Sequence, residues 1–194
     1  MKSFIFYNLC NMPIYFSLLI FLGYVHETNP IDYVLSITGH TAIIFLIILA
    51  LIPHIFFRLG VNFLAHRRSI GLYVFIYSLL HTLIYFALDY QLQWSLVLQE
   101  IKLHLYLQLG LLALVCLLPM VLTSNDYAKK ILTVWWYRIH KLIYLAILFS
   151  IAHYYFLIKL DYNFLIIYTI IFLALFLLPK KNAQWMDVFK KNLV

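Results

Sequence analysis

Four histidines in apolar surroundings are the residues of this chain best suited to chemistry. They form two pairs along the sequence, His66 with His81 and His140 with His153. The segment around His81 reads GLYVFIYSLLHTLIYFALD, so this imidazole lies within a run that is almost entirely aliphatic and aromatic. A polar ring in such a run costs free energy unless a hydrogen-bond partner or a metal satisfies it. The two pairs are therefore the first candidates for a binding site.

The composition predicts that these histidines lie in a lipid bilayer. The chain has 194 residues, of which 65% are hydrophobic and 11% charged, and its mean hydropathy is +0.95. A water-soluble domain of this size must present a polar exterior, which this composition cannot supply. Apolar runs of about 20 residues, long enough to cross a bilayer, recur along the chain. We expect an all-α integral membrane protein with a single domain over residues 1–194.

Polar breaks in the apolar text predict a bundle of six transmembrane helices. The breaks fall at 26–32, 58–68, 89–102, 123–130 and 159–163, and the predicted helices are 4–25, 34–57, 69–88, 103–122, 134–158 and 164–179. The sequence contains no Walker loop, dinucleotide fingerprint, zinc-ligand spacing or nucleophile elbow. Any nicotinamide or dehydrogenase chemistry is therefore expected on another protein.

Charge predicts the orientation of the bundle. Basic residues gather at one side of it: Lys2, Arg58, Arg67, Arg68, Lys129, Lys130, Arg138, Lys141, Lys180, Lys181, Lys190 and Lys191. The other side has only Lys102 and Lys159 as basic residues. Because basic loops stay in the cytoplasm, both termini are predicted to be cytoplasmic. The net charge of +7 is thus a topology signal, and no nucleic-acid partner is expected, since the basic groups are spread over loops near the membrane.

Depth in the membrane can be counted from the cytoplasmic anchors. His81 lies 13 residues beyond Arg68, and His153 lies 12 residues beyond Lys141. At about 1.5 Å per residue, both imidazoles lie roughly 18–20 Å from their anchors, in the outer half of the bilayer. Two histidines at one depth on neighbouring helices predict a six-coordinate haem, whose iron takes one imidazole from each side. The alternative is that each ring only hydrogen-bonds a backbone carbonyl or a tyrosine of a neighbouring helix.

The inner histidines suggest a second layer. His140 precedes His153 by 13 residues and His66 precedes His81 by 15, so the two layers lie about 20 Å apart, as in two stacked haems. We expect His140 to be a ligand there, with His66 as its partner and His54 as a weaker candidate. At 100° per residue, however, His140 and His153 lie on faces about 140° apart, so a shared face requires a wide turn or a bend. His66 can equally lie in water beside two arginines.

Three further histidines are candidates for the surface. His26 falls in an external loop and is expected to be solvated. His40 and His104 lie in the outer parts of the second and fourth predicted helices. Each is either an interfacial side chain or a contributor to an external docking site or a quinone pocket.

Several segments of the chain resemble the MsrQ (YedZ) family, within the wider ferric-reductase-like transmembrane family that includes the NADPH oxidases. The similar segments are NPIDYVLSITGHTAIIFL (29–46), HRRSIGLYVFIYSLLHTLIYFALD (66–89), EIKLHLYLQLG (100–110), LTS (122–124) and WYRIHKLIYLAILFSIAHYY (136–155). The most specific pieces are RRSIGLYVFIYSLLH, W-x-x-I-H-K-L-I-Y and I-A-H-Y. The resemblance places the family's functional histidines on His81, His140 and His153.

The resemblance implies an electron-transfer subunit rather than a catalytic subunit. MsrQ-type proteins are haem-binding components of a periplasmic methionine-sulfoxide reductase system in the bacterial inner membrane. The resemblance therefore implies b haem, FMN as a second cofactor, a quinone pool or cytoplasmic flavin reductase as donor, and a periplasmic molybdopterin reductase as acceptor. Two alternatives stay open: a related haem reductase acting on ferric chelates or oxygen, and a membrane transporter or scaffold without haem.

Two positions depart from the family pattern. Thr38-Gly39-His40 stands where the family usually has Thr-Gly-Arg or Thr-Gly-Lys, and His104-Leu105-Tyr106 stands where it usually has Arg-Pro-Tyr. Both changes replace a permanent cation on the outer side by an imidazole. If those cations pair with an anionic group, the contact in this chain is weaker or depends on pH.

Overall fold

The structure is a computed structural model and describes residues 2–23, 28–52, 66–158 and 162–177, with side chains from residue 5 onward. The predictions that concern His26 and His54 lie outside these residues, as do those on the basic residues after position 177. Within the described ranges the ordered elements are helical. They are α1 (Lys2–Phe21), α2 (Pro30–Leu51), α3 (Arg67–Ile84), a π-helical turn (Tyr85–Asp89), α4 (Trp94–Leu103), α5 (Leu105–Leu122), α6 (Asp126–Leu132), α7 (Val134–Ile139), α8 (Leu142–Leu157) and α9 (Asn163–Leu177).

Among the described residues, four helical stretches are long and apolar enough to cross a membrane: Pro30–Leu51, Arg67–Asp89, Leu105–Leu122 and Val134–Leu157. They correspond to the second, third, fourth and fifth predicted helices. The first and sixth predicted helices correspond to shorter apolar helices in the described residues, Ile5–Phe21 and Asn163–Leu177. The chain is therefore an all-helical, multi-pass membrane protein.

Two helix pairs form the centre of the bundle. The largest contacts are those of α2 with α3 and of α5 with α8, and α2 with α8 and α3 with α5 join the pairs. Val74 of α3 and Ala146 and Ile147 of α8 are buried in the core that these helices share. The outer helices α1 and α9 pack against α2, and α9 also contacts α8. A histidine on α3 and one on α8 can thus face each other across the centre.

Helices α2 and α6 begin with residues that favour a helix start. Pro30 occupies the first turn of α2, where its missing N–H is no loss, and Asp32 in the same turn complements the helix dipole. Asn125 caps α6, since its side-chain oxygen accepts from the backbone N–H of Ala128 at 2.7 Å. Asp126 of α6 and Arg68 of α3 form an exposed ion pair at 4.0 Å. The first turn of α3 and the α5–α6 connection therefore lie at the same end of the bundle.

The connection at 89–102, which was expected to be a break between helices, is itself partly helical. Gln91 and Leu92 have positive φ angles of 47° and 61°, and α4 begins two residues later at Trp94. Val97 of α4 is buried although most of the helix is exposed. The amide of Gln108 donates to the carbonyl of Ile101 at 3.0 Å and so ties the end of α4 to α5.

The predicted fifth helix contains a break between its two histidines. Helix α7 ends at Ile139 and α8 begins at Leu142. Between them, His140 and Lys141 have ψ angles of −8° and −15°, far from the value near −42° of a regular α-helix. This break changes the rotational phase between the faces of His140 and His153. A second irregularity, the π-helical turn, follows His81 by four residues.

Candidate haem-binding site

The structure brings the rings of His81 and His153 together at the centre of the bundle. Their centroids are 6.1 Å apart and their planes are inclined at 89°. Two imidazoles that bind one iron place their centroids roughly 6 Å apart, because each metal–nitrogen bond is about 2 Å long and each centroid lies about 1 Å beyond its nitrogen. The separation of the two rings therefore fits the two axial positions of one haem iron.

The His81 ring is oriented by helix α2. Its Nδ1 lies 3.0 Å from the carbonyl oxygen of Leu35 and 3.4 Å from the hydroxyl of Thr38. Because a carbonyl oxygen only accepts, Nδ1 carries the proton and donates it. The lone pair of this tautomer is on Nε2, so the nitrogen that can bind a metal is the one not engaged by α2.

The His153 ring is oriented in the same way by helix α5. Its Nδ1 donates to the carbonyl oxygen of Tyr106 at 2.7 Å, and the Tyr106 ring lies against it with centroids 6.0 Å apart. Histidines that bind metals usually donate the other ring N–H to a carbonyl or carboxylate, which selects the tautomer and orients the ring. Both histidines meet this requirement, each through a helix other than its own.

A cavity of about 560 Å³ lies between the two helix pairs and reaches both histidines. Its volume lies within the range of about 300–1,000 Å³ that is typical of sites for cofactors and small ligands. Most of its wall is apolar, and its polar residues include Ser36, Thr82 and Tyr85. Asp32, Asp89 and Tyr90, at the outer ends of α2 and α3, also line it. An apolar slot between two facing imidazoles fits a haem macrocycle.

The donor set suits a macrocycle better than a bare metal ion. Among the described residues, no group of three or more His, Cys, Asp or Glu side chains could hold a metal ion. Two imidazoles give only two ligands, and a porphyrin supplies the four that are missing. The hydrogen bonds to Leu35 and Tyr106 alone would also suit two structural histidines. Two purely structural histidines would not need to bring their rings this close together beside a cavity.

The inner histidines are placed differently. His140 donates from Nδ1 to the carbonyl of Trp136 at 2.9 Å, one turn earlier, and its ring stacks on the Trp136 indole with centroids 3.9 Å apart. The indole N–H of Trp136 donates in turn to the carbonyl of Thr123 at 2.9 Å. The ring of His66 lies against Phe6 of α1, with centroids 4.3 Å apart. The described contacts thus place the His140 ring against Trp136 and the His66 ring against Phe6.

His40 and His104 each have a polar partner of their own. Nδ1 of His40 lies 2.9 Å from the hydroxyl of Tyr168, and the residue lines the cavity. Nε2 of His104 lies 3.0 Å from a carboxylate oxygen of Glu100 in a partly exposed pair. The interfacial interpretation therefore suits His104, whereas His40 belongs to the wall of the candidate site.

The sequence did not reveal the backbone acceptors of the two rings. The carbonyls of Leu35 and Tyr106 lie 46 and 47 residues from the histidines that they orient. Every residue has a carbonyl, so no residue type marks these two. The nearest available signal was a glycine in each of the two helices, one turn after the acceptor.

Comparison with known families agrees with this geometry. The family model described as "Ferric reductase like transmembrane component" matches residues 35–151. This range runs from the Leu35 acceptor, through α3 with His81, to the middle of α8, and ends two residues before His153. The chain therefore belongs to the ferric-reductase-like transmembrane family.

Two curated relatives narrow the class. Both carry the name "Protein-methionine-sulfoxide reductase heme-binding subunit MsrQ". The protein of Caulobacter vibrioides is 33% identical over 159 residues, which are 80% of this chain and 76% of the relative. That of Brucella ovis is 33% identical over 126 residues, 65% of this chain and 57% of the relative, so the match spans little more than half of its length. The chain belongs to the MsrQ family. No solved structure matches it significantly.

Proposed function

We propose that the chain is the haem-binding electron-transfer subunit of a protein-methionine-sulfoxide reductase system. The observation that carries the proposal is the facing pair His81 and His153, with rings 6.1 Å apart beside an apolar cavity. The relatives that share the fold are named as haem-binding subunits of such a system. The proposed cofactor is one b haem held by this pair.

The chain's own residues bind and orient the cofactor and keep water away from it. A bound haem supplies a site that accepts and releases one electron at a time. His81 and His153 would hold the iron through Nε2, and their Nδ1–H hydrogen bonds would make each ring a more basic ligand. The apolar wall, which includes Ala42, Ile43 and Leu114, lowers the local dielectric and limits solvent access, and both of these tune a reduction potential.

The direction of transfer follows from the proposed orientation. In a six-span arrangement with both termini in the cytoplasm, the end of the bundle that carries Arg67 and Arg68 is internal. The cavity wall includes Asp32 and Asp89 at the opposite end, so the site lies nearer the periplasm. Electrons would enter from the quinone pool or a cytoplasmic flavin reductase and leave to a periplasmic molybdopterin reductase. Reducing one methionine sulfoxide to methionine and water takes two electrons and two protons, so the chain delivers two single electrons per turnover.

Two expected features, FMN and a second haem, are not assigned to this site. FMN stays an expectation of the resemblance. A second haem at His140, with His66 as partner, also stays a prediction, because the described contacts of these rings lead to Trp136 and Phe6. One rival function is the reduction of ferric chelates, and the name of the matching family model is its support.

Purification and stopped-flow spectroscopy test the function. The chain is purified in mild detergent from haem-replete cells, reduced under anaerobic conditions, and mixed with the oxidised molybdopterin reductase encoded in the same genome. We expect a b-type spectrum that re-oxidises faster with this reductase plus methionine sulfoxide than with ferric citrate. Faster re-oxidation by ferric citrate would favour the rival function. A colourless preparation would contradict both.

A further inference from the structure

Two glycines inside the central helices lie directly against the two histidines. A Cβ atom at Gly39 of α2 would lie 3.1 Å from Cε1 and 3.2 Å from Nδ1 of His81. A Cβ atom at Gly110 of α5 would lie 2.9 Å from Nδ1 and 3.2 Å from Cε1 of His153. These distances are shorter than ordinary van der Waals contact between carbon or nitrogen atoms. Each ring therefore occupies space that any other residue would fill.

The two contacts share one geometry with the hydrogen bonds of the rings. The acceptor of His81 is the carbonyl of Leu35, four residues before Gly39, and the acceptor of His153 is the carbonyl of Tyr106, four residues before Gly110. In an α-helix, residues i and i+4 lie on the same face, one turn apart. A donor from another helix that reaches the carbonyl of residue i therefore passes over residue i+4. We call each pair, carbonyl at i and glycine at i+4, an imidazole seat.

We propose that Gly39 and Gly110 are positioning residues, and that the two imidazole seats hold the axial ring planes perpendicular to each other. This inference rests on the proposed function, because it assumes that both rings bind one iron. The planes are inclined at 89°. The His81 ring lies against α2 and the His153 ring lies against α5, so two separate helices set the angle between the ring planes. A hydrogen bond alone restrains one atom of a ring, and the close approach of Nδ1 and Cε1 to the glycine limits how far the ring can turn about that bond.

Helix packing in general does not explain these glycines. Glycine inside a helix lowers stability relative to alanine, so each position needs a compensating reason. Gly71 of α3 offers the comparison within the same bundle, because its added Cβ would meet only Leu49 at 3.6 Å, an ordinary contact. There is room for a methyl group at Gly71, whereas at Gly39 and Gly110 the histidine ring would have to shift to admit one.

An added methyl group should turn the ring rather than remove it. At Gly110 the methyl would lie 2.9 Å from Nδ1 of His153, which is held at 2.7 Å by Tyr106. Both contacts cannot persist, so the ring must rotate or shift. The g anisotropy of low-spin ferric iron depends on the angle between its two axial ligand planes, and perpendicular planes give the most axial spectrum. The ring planes can therefore be measured in frozen solution without any turnover.

The experiment compares Gly39→Ala, Gly110→Ala and the control Gly71→Ala in the purified full-length chain. The readouts are the EPR spectrum of the ferric form and the affinity of haem-depleted protein for added hemin. For wild type and Gly71→Ala we expect the same strongly axial low-spin signal. Gly110→Ala should lower the largest g value and weaken hemin binding roughly tenfold to a hundredfold, as disturbed outer-shell partners of metal ligands do. Gly39→Ala should change both in the same direction but less, because its contacts are longer.

Several outcomes would overturn the inference, and they separate it from the proposed function. Haem-containing wild type with unchanged EPR spectra and hemin affinity in both Gly39→Ala and Gly110→Ala would refute the seats and leave the function standing. Equal changes in Gly71→Ala would show a general packing effect and refute them too. Wild type without haem would refute both proposals. If Gly110→Ala does not accumulate as folded protein, Gly39→Ala carries the same test.

Discussion

The outer histidines and the inner histidines of this bundle have the same residue type and similar spacing but different surroundings. In the outer layer, His81 and His153 each donate to a carbonyl of another helix, and their rings face each other. In the inner layer, His140 donates to the carbonyl of Trp136, one turn earlier in α7, and its ring stacks on the Trp136 indole. The difference shows that the helix whose carbonyl accepts the Nδ1–H hydrogen bond determines the direction in which the ring points.

The two arrangements also differ in what they hold together. The outer hydrogen bonds join α3 to α2 and α8 to α5, so the rings are positioned by the packing of the whole centre. The inner contacts of His140 are local, and the Trp136 indole, not the imidazole, reaches the carbonyl of Thr123. A site for a large cofactor needs groups that converge from separate helices. Only the outer layer meets this condition in the described residues.

The largest effect is expected from removing either outer histidine. Either substitution, His81→Ala or His153→Ala, leaves one imidazole to hold the iron. The cofactor can then dissociate from the single remaining ring. We expect each variant to lose most of its haem, measured as haem per chain by the pyridine haemochrome spectrum.

His104→Ala is the matched control for these variants. It removes the same side chain from a partly exposed pair with Glu100, and its ring approaches the facing pair through Tyr106, with centroids 5.5 Å apart. Haem content in this variant should equal that of wild type. Unchanged haem content in both outer variants would refute the ligand assignment.

A smaller effect is expected from His140→Ala. The haem between the outer rings does not depend on this side chain, so haem per chain should fall by at most half. Stoichiometry also tests the second layer. Two haems per chain in wild type and one in the variant would support His140 as a ligand, whereas one haem in both would contradict it. Loss of all haem would show that the two layers are not independent.

The pairing of the outer histidines could be predicted because depth in a membrane can be counted. Helices rise by a constant amount per residue, and the basic anchors Arg68 and Lys141 give each count a starting point. The break after Ile139 could also be anticipated, since 13 residues of regular helix place His140 and His153 on different faces. Both predictions needed only spacing along a single helix.

The rest of the site could not be predicted because it depends on contacts between helices. Which carbonyl accepts from His81 depends on how α2 lies against α3, and backbone acceptors carry no residue-type signal. Helix α4 was missed for a different reason. Its neighbours Gln91 and Leu92 have positive φ angles, which non-glycine residues seldom adopt, so the turn before α4 has no sequence signature. The spacing of Trp94, Val97 and Ile101 was the one available signal for that helix.

The smallest effect concerns a difference between the two outer histidines themselves. The Thr38 hydroxyl donates a bifurcated hydrogen bond, at 2.8 Å to the carbonyl oxygen of Val34 and at 3.1 Å to that of Leu35, which also accepts from His81. The hydroxyl oxygen lies 3.4 Å from Nδ1 of the His81 ring. No hydroxyl is described at the His153 acceptor. Thr38→Val removes a donor that competes for the Leu35 oxygen, so the His81 bond should strengthen and the ring should become a more basic ligand. A more basic ligand stabilises the ferric state, and the reduction potential should fall.

Potentiometric titration of the purified haem protein measures this fall. We expect it to be roughly 20–40 mV, less than the 59 mV that corresponds to a tenfold change for one electron. Thr41→Val is the control, because the Thr41 hydroxyl, on the same helix, donates to its own helix carbonyl at Ile37. Removing it changes the packing of α2 without changing the His81 acceptor, so its potential should match that of wild type. Equal shifts in the two variants would assign the effect to α2 packing, and a rise in Thr38→Val would mean that the hydroxyl acts mainly as a second acceptor for His81.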